Sequence, residues 1–321
     1  MTDGKDMTES VIASFFGDRD GRDDAGKSAD VKSGFVAILG SPNVGKSTLM
    51  NAFVGAKIAI VSEKAQTTRN RIAGVVTKEG YQIVFLDTPG IHEPRTKLGE
   101  YMVKTAYSAG RDVDVILMLI DAKKGIMLRD KEIISRLDRK KLIAAVNKKD
   151  LVGKETVSAQ MDLLRTLGAD TVFALSAKYH EGVQELEKEI VDRLPFGPKY
   201  YPDDMQTDMP ERFIASELIR EKMLTNLRDE VPHGVGIEIE KFEEQEEITN
   251  ISAVIYCERE SHKGIIIGRK GSMLKKIGTE ARLDLEMLTG TKVFLELFVK
   301  VKEGWRNSNF MLKELGYSNR D

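Results

Sequence analysis

Gly40-Ser41-Pro42-Asn43-Val44-Gly45-Lys46-Ser47 fits the pattern G-x-x-x-x-G-K-[ST], and its flanks make the match count. The apolar run Phe35 to Leu39 precedes it and a helical pattern, Lys46 to Val54, follows, so the octapeptide turns a strand into a helix. Glycines there let backbone N–H groups face inward and cradle phosphate oxygens, with the positive end of the helix behind them. Lys46 is expected to neutralise β- and γ-phosphate charge and Ser47 to ligate Mg²⁺, with Thr48 completing the phosphate-facing set.

Outward from this loop, short apolar runs alternate with helical patterns. Ile83 to Leu86, Val113 to Ile120, Leu142 to Val146 and Thr171 to Leu175 read as buried strands. Helices are expected around Lys97 to Ala109, Leu128 to Leu137, Thr156 to Leu167 and Val183 to Leu194. The alternation predicts an α/β domain with a mostly parallel, doubly wound sheet. Arg71 to Thr77 and Tyr81 to Leu86 are joined by three residues, too short for a parallel crossover, so an antiparallel edge hairpin is expected.

Two further motifs close strands of this sheet. Asp87-Thr88-Pro89-Gly90 puts a carboxylate at the strand end nearest the phosphate loop, where Asp87 would hold Mg²⁺ and the Gly90 N–H would sense the γ-phosphate. Asn147-Lys148-Lys149-Asp150 separates guanine from adenine. Guanine presents N1–H and N2–H₂ side by side, and the Asp150 carboxylate accepts both; adenine would leave it unpaired, at about 1–3 kcal/mol. Asn147 would brace the loop and meet the purine edge, the Lys148 stem would lie along the base, and backbone N–H groups of Ser176-Ala177-Lys178 would reach guanine O6.

Phosphate loop, Asp-Thr-Pro-Gly, Asn-Lys-Lys-Asp and Ser-Ala-Lys, in that order, resemble the signature set of the translation-factor class of GTPases. The resemblance implies a first switch at Ser62 to Arg71, with a threonine that closes over Mg²⁺ in the GTP state. Thr68 is favoured because related GTPases place that threonine directly before Arg, here Arg69; Thr67 stays open. Ras-like enzymes carry a water-orienting glutamine where this chain has Ile91, which can neither donate nor accept. Some relatives use the residue equivalent to Asn43 to help bind K⁺ between nucleotide phosphates, which makes K⁺ a candidate cofactor beside GTP/GDP and Mg²⁺.

Four of the eight prolines, Pro195, Pro198, Pro202 and Pro210, fall between Leu194 and Arg212 and force extended geometry, marking a linker. Beyond it the order becomes helix (Glu211 to Glu230), strands Val235 to Phe242 and Ile251 to Cys257, two helices, and a strand from Val293 to Val301 with Val293, Leu295, Leu297, Val299 and Val301 on one face. This is an α+β domain with its own core. Gly268-Arg269-Lys270-Gly271 has the Gly-x-x-Gly form of a KH domain, whose loop clamps a nucleic-acid backbone. With 27 Gly in 321 residues such a pair arises about twice by chance, so context decides. The context fits: the apolar Ile265-Ile266-Ile267 precedes, a basic helix from Ser272 to Glu286 follows, and the element order is that of a type II KH fold. Lys263, Arg269, Lys270, Lys275 and Lys276 are candidate phosphate contacts, and Ile266 a candidate for the apolar floor under the bases, with a core role equally open.

Composition bounds the partners. Lys plus Arg number 49 against 51 Asp plus Glu, a net charge of -2 that excludes a globally basic surface, so nucleic acid must bind a local patch. The one cysteine, Cys257, cannot form an intramolecular disulfide and reads as a small core residue in a reducing compartment. Val115 to Ile120, the longest apolar run, is far short of the roughly 18 residues of a membrane span. The first 32 residues, rich in Asp, Gly and Ser, resemble neither a signal nor a transit peptide and are expected to form a mobile acidic tail.

Pro210 to Glu217, His262 to Gly268 and Lys300 to Arg306 are similar to the Era family, and the resemblance runs from Lys32 to Tyr317. With the tail and the proline-rich stretch read above, the chain is expected to divide into an acidic tail (1–32), a G domain (33–194), a proline-rich linker (195–210) and a type II KH domain with a C-terminal helical tail (211–321). The resemblance implies a cytoplasmic GTPase that binds the 3′ end of small-subunit ribosomal RNA during maturation of the small ribosomal subunit and that in some members associates peripherally with the inner membrane; a monomer is expected. Two other readings compete: a metabolic phosphotransferase, which would need a second pocket with a catalytic base, and a GTP-regulated scaffold.

Overall fold

The computed structural model describes residues 31–62, 64, 67–90, 94, 96–109 and 112–317. The expectations for the acidic tail up to residue 30, for Ile91, and for parts of both switch stretches lie outside the described residues.

Six strands form the first sheet: β1 (Lys32–Leu39), β2 (Ile72–Lys78), β3 (Tyr81–Asp87), β4 (Val115–Asp121), β5 (Leu142–Asn147) and β6 (Thr171–Ala174), in spatial order β2-β3-β1-β4-β5-β6. Every neighbour pair is parallel except β2 with β3. Helices α1 (Lys46–Val54), α2 (Lys97–Ala109), α3 (Leu128–Ser135), α4 (Lys154–Thr166) and α5 (Val183–Arg193) intervene. One apolar cluster lies on each face of the sheet, which is why β4 and β5 are buried along their whole length and apolar up to their last residues, Asp121 and Asn147, instead of alternating.

The proline-rich segment runs along the free edge of β2. Val75 N–H donates to Gln206 O (2.8 Å), the Thr207 hydroxyl to Ala73 O (2.7 Å), and Gln82 bonds the main chain of Tyr200 and Tyr201. Extended geometry is what proline imposes, and here it also covers an edge that would otherwise present unpaired backbone groups.

Helix α6 (Glu211–Asn226) opens the second unit, followed by β7 (Gly236–Glu244), β8 (Ile248–Cys257), α7 (Glu260–Ile267), α8 (Ser272–Thr289) and β9 (Lys292–Val301). The sheet order is β7-β8-β9, with β7 antiparallel and β9 parallel to β8. A core drawn from α6, α7, α8 and the sheet includes Cys257, whose thiol burial pushes its pKa up. Helix α6 ends at Asn226, not Glu230 as its pattern suggests: Leu227 turns extended, and this turn brings Leu227 and Val231 into the core. Beyond β9 comes the short helix α9 (Asn309–Glu314), and Trp305, Met311, Leu312, Leu315 and Tyr317 in and around it pack on Leu98 and Met102 of α2 and so join the two units. Among the described residues no helix is long and apolar enough to cross a membrane.

Candidate functional site

A cleft of about 1110 Å³ opens where β1, β3 and β5 end, lined by Asn43, Lys46, Ser47, Thr68, Gly90, Asn147, Asp150 and Lys178 among others. Gly45 precedes α1 at φ 101 with no side-chain cap, which leaves the first N–H groups of α1 to the loop. Only glycine fits here: a Cβ on Gly40 would lie 2.5 Å from Leu119 O, and one on Gly45 2.3 Å from Asn147 Nδ2. The Lys46 ammonium is folded into the loop, donating to Gly40 O (3.1 Å) and Ser41 O (3.2 Å). Burial lowers its pKa to about 8, against the opposing pull of Asp87 and Asp130. Loop carbonyls thus hold the cation that phosphate oxygens would take over.

Ser47 Oγ donates to Asp87 Oδ2 (2.7 Å), and Thr68 Oγ1 lies 2.9 Å from Ser47 Oγ and 3.1 Å from Asp87 Oδ2. Thr67 instead turns its hydroxyl back to Lys64 O (2.7 Å), so of the two threonines only Thr68 meets this group. Burial pushes the Asp87 carboxyl up, and its Oδ1 has no hydrogen-bond partner among the described residues. A buried carboxylate with an idle oxygen beside two hydroxyls is an oxygen set suited to Mg²⁺, so these residues fit the ion. Thr88 ties back to Ile38 O (2.8 Å) and fixes the end of β3. Gly90 passes so near the phosphate loop that a Cβ would meet Pro42 Cα at 2.8 Å.

At the base end, Asn147 is used as a brace: Nδ2 donates to Val44 O (2.8 Å), and Oδ1 accepts the N–H of Ala177 (3.0 Å), one of the three residues whose backbone donors are expected at guanine O6. Asp150 is exposed at the cleft mouth, and Ser176 Oγ donates to its Oδ1 (2.6 Å), which orients the carboxylate. Lys148, in the left-handed region at φ 63, sends its ammonium to Asn43 O (2.6 Å) and Asp121 Oδ2 (2.7 Å), laying its stem across the cleft. Lys149 must be corrected. After the left-handed turn its side chain points away from the cleft and pairs with Glu181 (3.1 Å), so its assignment to the nucleotide set does not hold.

Two residues escaped the sequence reading. Asp121 ends β4 directly opposite Asn147, and the rule that ligands gather at strand ends could have found it. Asp130 on α3 accepts from Ser41 Oγ (2.6 Å), a partnership across 89 residues that no local spacing signals.

The Gly-x-x-Gly turn lies between α7 and α8. Gly268 has φ 73 and ψ 173, Lys270 φ 51 and Gly271 φ 78, and this backbone projects Arg269 and Lys270 into solvent. Lys275 and Lys276 are exposed one turn into α8, and Lys263 is half-buried. Ile266 is a core residue, fully buried, which removes it from the candidate surface; a neighbour 100° round the helix, Ile265, is half exposed instead.

Comparison with known proteins gives matches across both units. Residues 35–148 match the family model described as 50S ribosome-binding GTPase, and residues 230–306 match the KH domain model. GTPase Era of Ruminiclostridium cellulolyticum is 51% identical over 290 residues, covering 89% of this chain and 97% of the relative. GTPase Era of Clostridioides difficile is 51% identical over 297 residues, covering 90% and 99%. Among solved structures, an Aquifex aeolicus Era variant bound to GDP·AlF4⁻ superposes with a TM-score of 0.86 at 39% identity, covering 90% of this chain and all of that one. An Era in complex with MgGDPNP and nucleotides 1506–1542 of 16S ribosomal RNA gives 0.86 at 40% identity, covering 90% and 99%.

Proposed function

The chain belongs to the GTPase Era family, and from that premise we propose that it is a molecular switch in which Mg²⁺·GTP in the cleft governs how the Gly268 to Gly271 loop holds RNA. It is a GTPase that binds guanine nucleotide and ribosomal RNA. The observation that carries the reading is one cleft joining Lys46, Ser47, Thr68 and Asp87 at its phosphate end to Asp150 at its base end. Lys46 exchanges its loop carbonyls for β- and γ-phosphate oxygens. Ser47, Asp87 and Thr68 would hold Mg²⁺, which supplies charge neutralisation at the phosphates when bound. Asp150, pre-oriented by Ser176, accepts the two donors of guanine, and Lys148 backs the base.

The finer reading is that the RNA is the 3′ end of small-subunit rRNA, bound during maturation of the small ribosomal subunit by a cytoplasmic monomer. Units at 33–194 and 211–321 would divide the labour, with 195–210 as the connection. The exposed Lys275 and Lys276 would also serve peripheral contact with anionic lipid at the inner membrane. K⁺ bound with the help of Asn43 would replace the missing catalytic glutamine. A competition titration tests the base assignment: GTP and GDP should outcompete ATP at least about tenfold, as expected when a mismatched base strands the carboxylate. Asp150→Asn should shift the preference to xanthine nucleotides. Equal affinity for ATP would remove the guanine reading.

A further inference from the structure

Three consecutive residues leave the nucleotide cleft in three directions, and the outer two end in the RNA-binding unit. Thr68 faces Ser47 and Asp87. The Thr67 carbonyl accepts a hydrogen bond from Arg220 of α6, whose guanidinium also pairs with Glu217 one turn back. Arg69 turns away from the cleft into the other unit. Nη1 donates to Val235 O (2.7 Å) and Nη2 to His233 O (3.0 Å), and the guanidinium lies 5.8 Å from the Trp305 ring centroid and 5.7 Å from that of Tyr317. Both arginines are almost fully buried, at 2% and 1% exposure.

This arrangement is costly to hold unless it has a use. Arg220 pairs with Glu217 while the Arg69 guanidinium meets carbonyls and the Tyr317 hydroxyl, and Arg69 Nε and Arg220 Nη1 are buried without a hydrogen-bond partner among the described residues. The contacts anchor the residues on both sides of Thr68, so the backbone that carries its hydroxyl can move out of the cleft only if an interdomain contact gives way. Nearby, Glu221 of α6 accepts the Val61 N–H (3.0 Å) and pairs with Lys57 (2.6 Å), fastening the start of the same segment.

We propose that Arg69 and Arg220 are positioning residues for Thr68, through which the RNA-binding unit holds the Thr68 hydroxyl in the cleft and thereby sets the preference for GTP over GDP. The proposal rests on reading the cleft as a guanine-nucleotide site, and it places the coupling in these two side chains, with the proline-rich segment left strapped to β2. Only the triphosphate state with its metal ion calls on Thr68 in the cleft; the diphosphate is held by the base contacts, the phosphate loop and Lys46 without it. Holding Thr68 in place from outside therefore favours GTP selectively, and by linkage GTP tightens the interdomain contact by the same factor.

The test is a pair of equilibrium titrations on the full chain, one with GDP and one with a non-hydrolysable GTP analogue, both in Mg²⁺. Arg69→Ala and Arg220→Ala are expected to weaken the analogue about tenfold or more and GDP less than about twofold, a selective loss within the usual range of couplings. Arg220→Lys should recover part of it, because one ammonium still donates to Thr67 O but cannot also pair bidentately with Glu217. Tyr317→Leu removes the ring and hydroxyl beside Arg69 while keeping an apolar side chain far from the cleft, and should weaken the analogue severalfold with GDP unchanged. Normal GDP binding reports that the cleft is folded and the nucleotide reading sound, separately from the proposal. If the analogue and GDP fall together in all these variants, or neither moves, the positioning role is wrong.

Discussion

The nucleotide cleft and the Gly-x-x-Gly loop are both phosphate sites, yet they are built oppositely. At the phosphate end of the cleft the charged groups are buried and already bonded, Lys46 to loop carbonyls and Asp87 to Ser47 and Thr68, and the neutral Asn147 is bonded to both Val44 and Ala177. At the RNA loop Arg269, Lys270, Lys275 and Lys276 stand in solvent, and the backbone turn is what is specified. A small ligand that must be told from its analogues needs groups fixed before it arrives, whereas a long polyanion can be held by mobile charges and a glycine that lets its backbone come close.

The contrast predicts unequal costs. Lys46→Ala should have the largest effect, weakening GTP and GDP by at least about a hundredfold, because about two charge-assisted hydrogen bonds of roughly 1.5–3 kcal/mol each are lost. Isothermal titration would show it, with RNA binding in the absence of nucleotide unchanged. Arg269→Asp with Lys270→Asp should weaken RNA at least about tenfold and flatten the salt dependence by about 1.4, the value for two phosphate contacts on a single strand. GDP binding without RNA should stay as it is, and an unchanged salt slope would mean that this loop does not meet phosphate.

Gly268→Ala probes the turn instead of its charges. At φ 73 and ψ 173 the backbone is nearly reserved for glycine, and the new Cβ would meet Met273 Cβ at 2.7 Å. The strain is about 1–3 kcal/mol, which should lower the melting temperature of the chain by several degrees. Gly271→Ala, where nothing lies within 4 Å of the added Cβ, should cost less. The smallest effect expected is that of K⁺: hydrolysis severalfold faster in K⁺ than in Na⁺, and no difference in Asn43→Ala. Identical rates in both salts for the unaltered chain would take K⁺ out of the mechanism.

The same contrast governed what the sequence could tell. Sites at strand ends leave short contiguous signatures, so the phosphate loop, Asp87 and Asn147 to Asp150 were legible, and so was the α/β order of the first unit. Lys149 misled because a motif names positions and says nothing about which side chain a left-handed Lys148 turns outward. Ile266 could not be told from Ile265 because three consecutive isoleucines carry no periodicity. Asp130, Arg220 and the fate of Arg69 depend on contacts across 89, 153 and 166 residues, which tertiary packing decides and local pattern does not.

The central claim is that the two phosphate sites are coupled, and RNA affinity measured in two nucleotide states at one fixed salt concentration tests it most directly. With the non-hydrolysable GTP analogue bound, RNA should bind about 5–150-fold more tightly than with GDP, the range of a coupling of about 1–3 kcal/mol. Equal affinities in the two states would contradict the account and leave two tethered sites without a switch between them.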